Sequence, residues 1–173
     1  EDGIRDYKVT GVQTCALPIC GGEASEARAQ IFWKTFEDGL SKVLVRFSAP
    51  LDLRGSALLM LQRADGKPDM FTYLPELDRV RRVSTFMMSG SMFGTDFSYE
   101  EFERLYGLAQ DASTRRLEDL ELEGRAVYVI EARTGGAEGS AYDRILVYVE
   151  QERCVPLKTE FFGAGAEPLK VLT

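Results

Sequence analysis

Residues 40–49 alternate with a period of two. Val43, Val45 and Phe47 fall on one side, and Lys42, Arg46 and Ser48 on the other. Such a segment has one dry face and one wet face, the pattern of a strand in an antiparallel sheet packed on one side only. Asp38-Gly39 just before it is a strong hairpin signal. Residues 23–36 therefore read as the preceding strand, with Ala27, Ala29, Ile31 and Trp33 opposed to Arg28, Gln30 and Lys34; a helix starting near Ser25 is the alternative. The turn over residues 50–55 contains Asp52, which can cap its own backbone, and Gly55, which can take a positive φ. A third strand over residues 56–62 carries Leu58, Leu59, Met60 and Leu61 in a row. That run implies burial on both faces, or leucines turned toward lipid.

The stretch from Phe71 to Tyr99 organises the rest. A strand over residues 70–74 is stopped by Pro75, which cannot donate to a ladder. A second run over residues 79–85 follows closely enough for an antiparallel hairpin. Then periodicity stops. Phe86, Met87, Met88, Met92, Phe93 and Phe97 are spread through a Gly- and Ser-rich segment. So many exposed Met and Phe side chains would be costly, so this loop must sit against something: it caps a core or lines a site. Ser98 with Glu101 forms a capping box, which predicts a short helix over residues 99–108 with Phe102, Leu105 and Tyr106 inward. This helix either packs over one end of the sheet or serves as a movable plug. Arg79, Arg81 and Arg82 precede the loop; Arg79 and Arg81 share a strand face and Arg82 points the other way. They are either a solvated face paired with Glu76, Asp78 and other acids, or a contact for a phosphate or carboxylate.

Further strands are read at residues 115–122, 126–132, 142–150, 154–162 and 169–173. Lys158 and Glu160 share a face, and Glu123-Gly124-Arg125 reads as a tight turn. The Gly-rich loop over residues 134–140 lacks a following Lys-Ser/Thr pair and leads into a strand, so it does not match a phosphate-binding fingerprint. The fold class is mainly β with short helices.

The N-terminal residues 1–19, EDGIRDYKVTGVQTCALPI, show no helical or strand period. They resemble the translation of a sequencing-library adapter, with Tyr7 and Lys8 at the index and Cys20 at the junction, and are expected to be artefactual. That segment holds three acids and two bases, so the net charge of −7 becomes −6 without it. About 154 residues remain, the length of one domain, which sets residues 20–173 as a single β domain. Cys154 is then the one trustworthy cysteine, which excludes an internal disulfide or a cysteine metal cluster. The chain has no His, which excludes a His-based triad, an imidazole base and a His-containing zinc site. Its acidity argues against nonspecific nucleic-acid binding. No apolar run approaches a membrane span.

The strings FTYLPELDRVRRVS and FGTDFSYEE, with FSAPLDLRGSALL upstream at residues 47–59, carry a resemblance. They resemble the outer-membrane lipoprotein-sorting protein family, relatives of the LolA and LolB carriers, from Ala27 to the end of the chain. The resemblance implies an antiparallel sheet curled into an incomplete barrel, short helices plugging its concave side, and an apolar cavity for acyl chains. It also implies a periplasmic location, with a secretory signal absent from this sequence, and further strands after the last one read here.

Three functions are weighed. The first is a periplasmic carrier of lipid or lipoprotein acyl chains, with an inner-membrane transporter or an outer-membrane acceptor as a further partner. Its cavity would be lined by Val43, Val45, Phe47, Leu58, Met60, Phe71, Tyr73, Phe86, Met88, Phe93 and Phe97, with Arg79 and Arg81 as an anion contact; the alternative is that these residues simply form the core. Pro50, Asp52, Arg54, Gly55 and Gly94-Thr95-Asp96 match the family's strings and read as turn-shaping. The second function is an envelope module that docks on a membrane transporter through the Met/Phe loop and binds no lipid. The third is an enzyme. Asp96 with Ser91 or Tyr99 could form a carboxylate–hydroxyl pair, but no base completes it. No catalytic residue, metal or cofactor is expected, and no nucleic-acid partner.

Overall fold

A computed structural model describes residues 12–18, 24–66, 68–105 and 113–173. The chain divides into two compact units, Glu1–Ala109 and Gln110–Thr173. Among the described residues, no helix is long and apolar enough to cross a membrane.

The first unit is an antiparallel meander whose spatial order follows the sequence: β1 (Val12–Pro18), β2 (Ala24–Thr35), β3 (Ser41–Ala49), β4 (Ala57–Leu61), β5 (Asp69–Leu74) and β6 (Arg79–Arg82). A seven-residue helix, α1 (Tyr99–Leu105), follows. β1 lies within the adapter-like residues 1–19, which show no period of their own, and pairs with β2 from Val12↔Gln30 to Pro18↔Ala24. A ladder supplied by a neighbour can hold a segment whose own side chains show no period. Residues 1–11, 19 and 20 of the adapter-like segment and its junction lie outside the described residues.

The turns are set by a few residues. Gly39 (φ +77) closes the β2–β3 hairpin, where the Leu40 N–H donates to Asp38 Oδ1 at 3.0 Å. Gly55 has φ +84, which strains any other residue, and a Cβ there would press on Pro75 Cγ at 3.1 Å. Between β5 and β6, a 3-10 turn at Pro75–Leu77 ends on left-handed Asp78.

In antiparallel strands, directly opposed residues share a face. The registers Ile31↔Val45, Val45↔Leu58, Val43↔Met60 and Met60↔Met70 therefore assemble one buried face from β2 to β5. The run Leu58–Leu61 alternates: Leu58 and Met60 are fully buried, whereas Leu59 and Leu61 are half-buried. This corrects the expectation of two buried faces. On the second side of β4, Leu59 is flanked by its cross-strand neighbours Leu44 and Phe71.

The second unit is also antiparallel: β7 (Ser113–Arg116), β8 (Leu120–Leu122), β9 (Arg125–Arg133), β10 (Arg144–Glu150), β11 (Pro156–Phe162) and β12 (Lys170–Leu172). The order is β12-β11-β10-β9, with β7 and β8 both pairing the remaining edge of β9. The single strand expected at residues 115–122 is thus two, interrupted where Arg116 turns onto Asp119. Glu123 and Gly124 (φ 51 and 77) make the tight β8–β9 turn. Ala132, Ile145 and Phe161 form the core of one face with Tyr142, whose ring lies 4.8 Å from that of Phe161.

The opposite face of this sheet carries paired charges. Burial pushes the Glu131 carboxyl up, but hydrogen bonds from Arg115 (2.9 Å) and Arg133 (3.0 Å) outweigh it and hold it below the ordinary 4.5. Glu160 is lowered in the same way: burial opposes, Lys158 and Tyr148 prevail. Burial and the bond to Glu160 push Tyr148 up to about 12. A carboxylate with a lowered folded pKa stabilises the fold above its unfolded pKa and loses that contribution as pH falls through the folded value. Denaturant midpoints should therefore be flat above about pH 5 and fall progressively below the ordinary value of 4.5. Glu160→Gln should flatten part of that fall; an unchanged acid slope would assign it elsewhere.

Candidate functional site

The apolar face of the first unit is the candidate site. β3 supplies Val43, Val45 and Phe47, β4 supplies Leu58 and Met60, β5 supplies Met70, and β2 adds Ala27 and Ile31. Clean period-two alternation puts all of them on one side.

The segment after β6 covers this face. Met92, Tyr99 and Phe102 are buried against it, and Met88, Phe93 and Phe97 are partly buried there. The Phe93 ring meets Phe47 edge-on at 5.1 Å, and Phe97 meets Phe102 at 6.1 Å, both favourable aromatic geometries. The cover meets the sheet through apolar surface, and hydrogen bonds shape it from within. The Met92 N–H donates to Phe97 O (2.7 Å), the Ser91 hydroxyl to Thr95 O (2.5 Å) and the Thr95 hydroxyl to Met92 O (2.6 Å). Phe93 and Gly94 both take positive φ to make this tight fold. The Glu100 N–H donates to Met88 O at 2.9 Å, joining α1 to the start of the loop. The expected capping box forms: the Ser98 N–H donates to Glu101 Oε2 (2.8 Å), and the Glu101 N–H to Ser98 Oγ (3.1 Å). Glu101 is itself buried. Ser91, weighed as a hydroxyl beside Asp96, spends its proton on this turn.

The expected lining separates into three groups. Val43, Val45, Phe47, Leu58, Met60, Met88, Phe93 and Phe97 come together. Phe71 and Tyr73 lie on the opposite face of the sheet, because Met70 takes the inward position and Phe71 is opposed by Leu59, Tyr73 by Ala57. Phe86 projects outward, 81% exposed, from the 3-10 turn Thr85–Met87. Of the helix expected over residues 99–108, Tyr99–Leu105 is described; Leu105, expected inward, is exposed, and residues 106–108, Tyr106 among them, lie outside the described residues. Met92 and Tyr99 are at the centre of the cover; the Gly- and Ser-rich context gave no period from which to choose them. Arg79 and Arg81 stand at the edge of the covered face, since Arg81 opposes Thr72 and Thr72 opposes Leu58. Among the described residues neither is paired with a carboxylate, whereas Arg82, on the other face, pairs with Asp69. Among the described residues, no group of three His, Cys, Asp or Glu side chains gathers to hold a metal.

A family model described as an uncharacterized-protein-like family matches residues 39–173. The chain belongs to that family. Among solved structures, it is similar to an outer membrane lipoprotein-sorting protein domain from Vibrio parahaemolyticus, at 28% identity and a TM-score of 0.78, over 94% of this chain and 67% of that one. A DUF1329 family protein from Desulfovibrio piger gives 21% identity and a TM-score of 0.78, over 90% of this chain and 66% of that one. A LolA superfamily protein from Nitrosomonas europaea gives 22% identity and a TM-score of 0.57, over 92% of this chain and 64% of that one. No curated protein matches. The chain spans about two thirds of the length of these structures. This family member thus has the fold of lipoprotein-sorting and LolA superfamily domains, mainly antiparallel β with unclosed sheets and one helix among the described residues.

Proposed function

We propose that this protein carries lipid or lipoprotein acyl chains on the covered apolar face of its first sheet. It would work in the periplasm, within a single domain of incomplete-barrel form, on the route to the outer membrane. The observation that carries the reading is a continuous apolar sheet face closed by a separate loop-and-helix segment whose own hydrogen bonds shape it. Movement of such a segment exposes the face without breaking the sheet's ladders. Each methylene sequestered there contributes roughly 0.8 kcal/mol, so a modest length of acyl chain suffices for binding. Met88 and Met92 suit varied chains because the thioether side chain adapts its shape. Arg79 and Arg81, at the rim of the same face, would meet the cargo's phosphate or carboxylate. An inner-membrane transporter and an outer-membrane acceptor are the partners this cycle requires. The similarity to a lipoprotein-sorting domain supports the reading.

Native mass spectrometry of protein from a Gram-negative periplasm tests it. Acyl species should co-purify, be lost in Met88→Glu and persist in Phe71→Glu, which alters the opposite face. A clean apo mass with no uptake from lipid vesicles would overturn the carrier. The second reading, a docking module that binds no lipid, is favoured by one observation: Phe86 and Met87 present exposed apolar surface beside the arginines of β6. It expects a Phe86-dependent protein contact and no bound lipid.

A further inference from the structure

We propose that one edge of the first sheet, from β6 to the 3-10 turn Thr85–Met87, docks on an anionic lipid bilayer. Phe86 and Met87 lie outside the covered apolar face, so the inference does not require the carrier reading. β6 is the last strand of its sheet, and all four of its residues are exposed. Charged side chains alone on such a strand would be ordinary protection against edge-to-edge pairing. Apolar ones defeat that purpose, yet Val80, Phe86 and Met87 stand open beside Arg79 and Arg81. Arg79 and Arg81 point to one side of the strand and Val80 to the other. Among the described residues no strand lies beyond β6, so a plane that approaches edge-on meets both sides.

The turn that carries Phe86 is suited to leaving water. The Met87 N–H donates to Ser84 O at 2.9 Å, the Met88 N–H to Thr85 O at 3.2 Å and the Gly90 N–H to Met87 O at 2.9 Å. Backbone groups bonded in this way enter an apolar medium without losing their partners. A projecting Phe86 needs no matched recess in a fluid acyl layer, whereas a protein partner would have to supply one. The charges fit an anionic surface. Asp69 is taken by Arg63 and Arg82, and Asp78 accepts from the Tyr73 hydroxyl at 3.1 Å. Glu76 and Asp78 precede β6, at the end away from Phe86. Arg79 and Arg81, which no carboxylate pairs among the described residues, are left to reach lipid phosphates while the aromatic ring sits deeper. The chain as a whole, at net charge −7, is repelled by an anionic membrane. This edge therefore sets the orientation in which it docks.

The test is flotation of the full chain with vesicles of phosphatidylglycerol and phosphatidylethanolamine, against vesicles of phosphatidylcholine alone. The anionic vesicles should carry the protein and the neutral ones should not, and high salt should weaken the binding. Phe86→Ser should lower the partition coefficient about tenfold, and Arg79→Gln with Arg81→Gln about fivefold per arginine. Leu169→Ser, which removes an exposed apolar side chain from the second unit, should change nothing. All these positions are open to solvent, far-UV circular dichroism checks the fold, and Met87→Ser serves if Phe86→Ser loses it. Equal partition to both vesicle types would overturn the inference, as would wild-type partition in Phe86→Ser. A Phe86-dependent protein contact without vesicle binding would also overturn it and give the edge to the docking module. Acyl species that co-purify with a chain that never floats would strike this inference alone and leave the carrier standing.

Discussion

Leu58→Ala should lower the unfolding free energy by about 3–5 kcal/mol, as expected for a fully enclosed leucine whose neighbours cannot collapse into the space it leaves. Val45 and Thr72 flank it in the ladders on either side, and backbone pairing holds those strands apart. The neighbouring Leu59→Ala should cost only about 1–2 kcal/mol, because that side chain is half-exposed on the other face. Urea denaturation of the two variants decides it. Equal losses would mean that β4 is enclosed on both sides, against the register with β3 and β5.

Phe102→Asp should unlatch the cover. The side chain is buried among the sheet's apolar residues and in edge contact with Phe97. An unpaired carboxylate there costs several kcal/mol, and the least disruptive relief is for α1 to leave the sheet. Hydrogen exchange should then accelerate across residues 84–105 while the amides of β3 and β4 remain protected. Binding of an environment-sensitive dye should rise as the apolar face opens. Loss of the sheet's circular dichroism along with the cover would show that the segment is core and not a movable element, and would remove the basis for the carrier.

Much of this was legible in the residues. Alternation at Val43, Val45 and Phe47 marked the buried face, and Asp38-Gly39 and Gly55 marked its turns. Ser98 and Glu101 marked the start of α1. What remained hidden was parity between strands. Period two says that Phe71 and Tyr73 share a side, but which side depends on how the loop between β4 and β5 sets the register. An assignment shifted by one residue exchanges Met70 for Phe71. The cover was hidden for another reason: Phe86 and Met92 are similar in hydrophobicity and only six positions apart, yet one is exposed and the other enclosed. An irregular segment carries no period to distinguish them.

The plain order of the first sheet has a consequence for its folding. Each strand pairs with the one made just before it, so every ladder closes over a short loop, at little entropic cost. A chain emerging from its N-terminal end can therefore zip the meander hairpin by hairpin, quickly for a β protein. The residues that shelter its greasy side arrive last, after β6. For that interval the nascent sheet is complete but naked, with Val43, Leu58 and Met60 open to any passing apolar surface. Aggregation during synthesis, and the need for a chaperone to bridge it, should concentrate in that window.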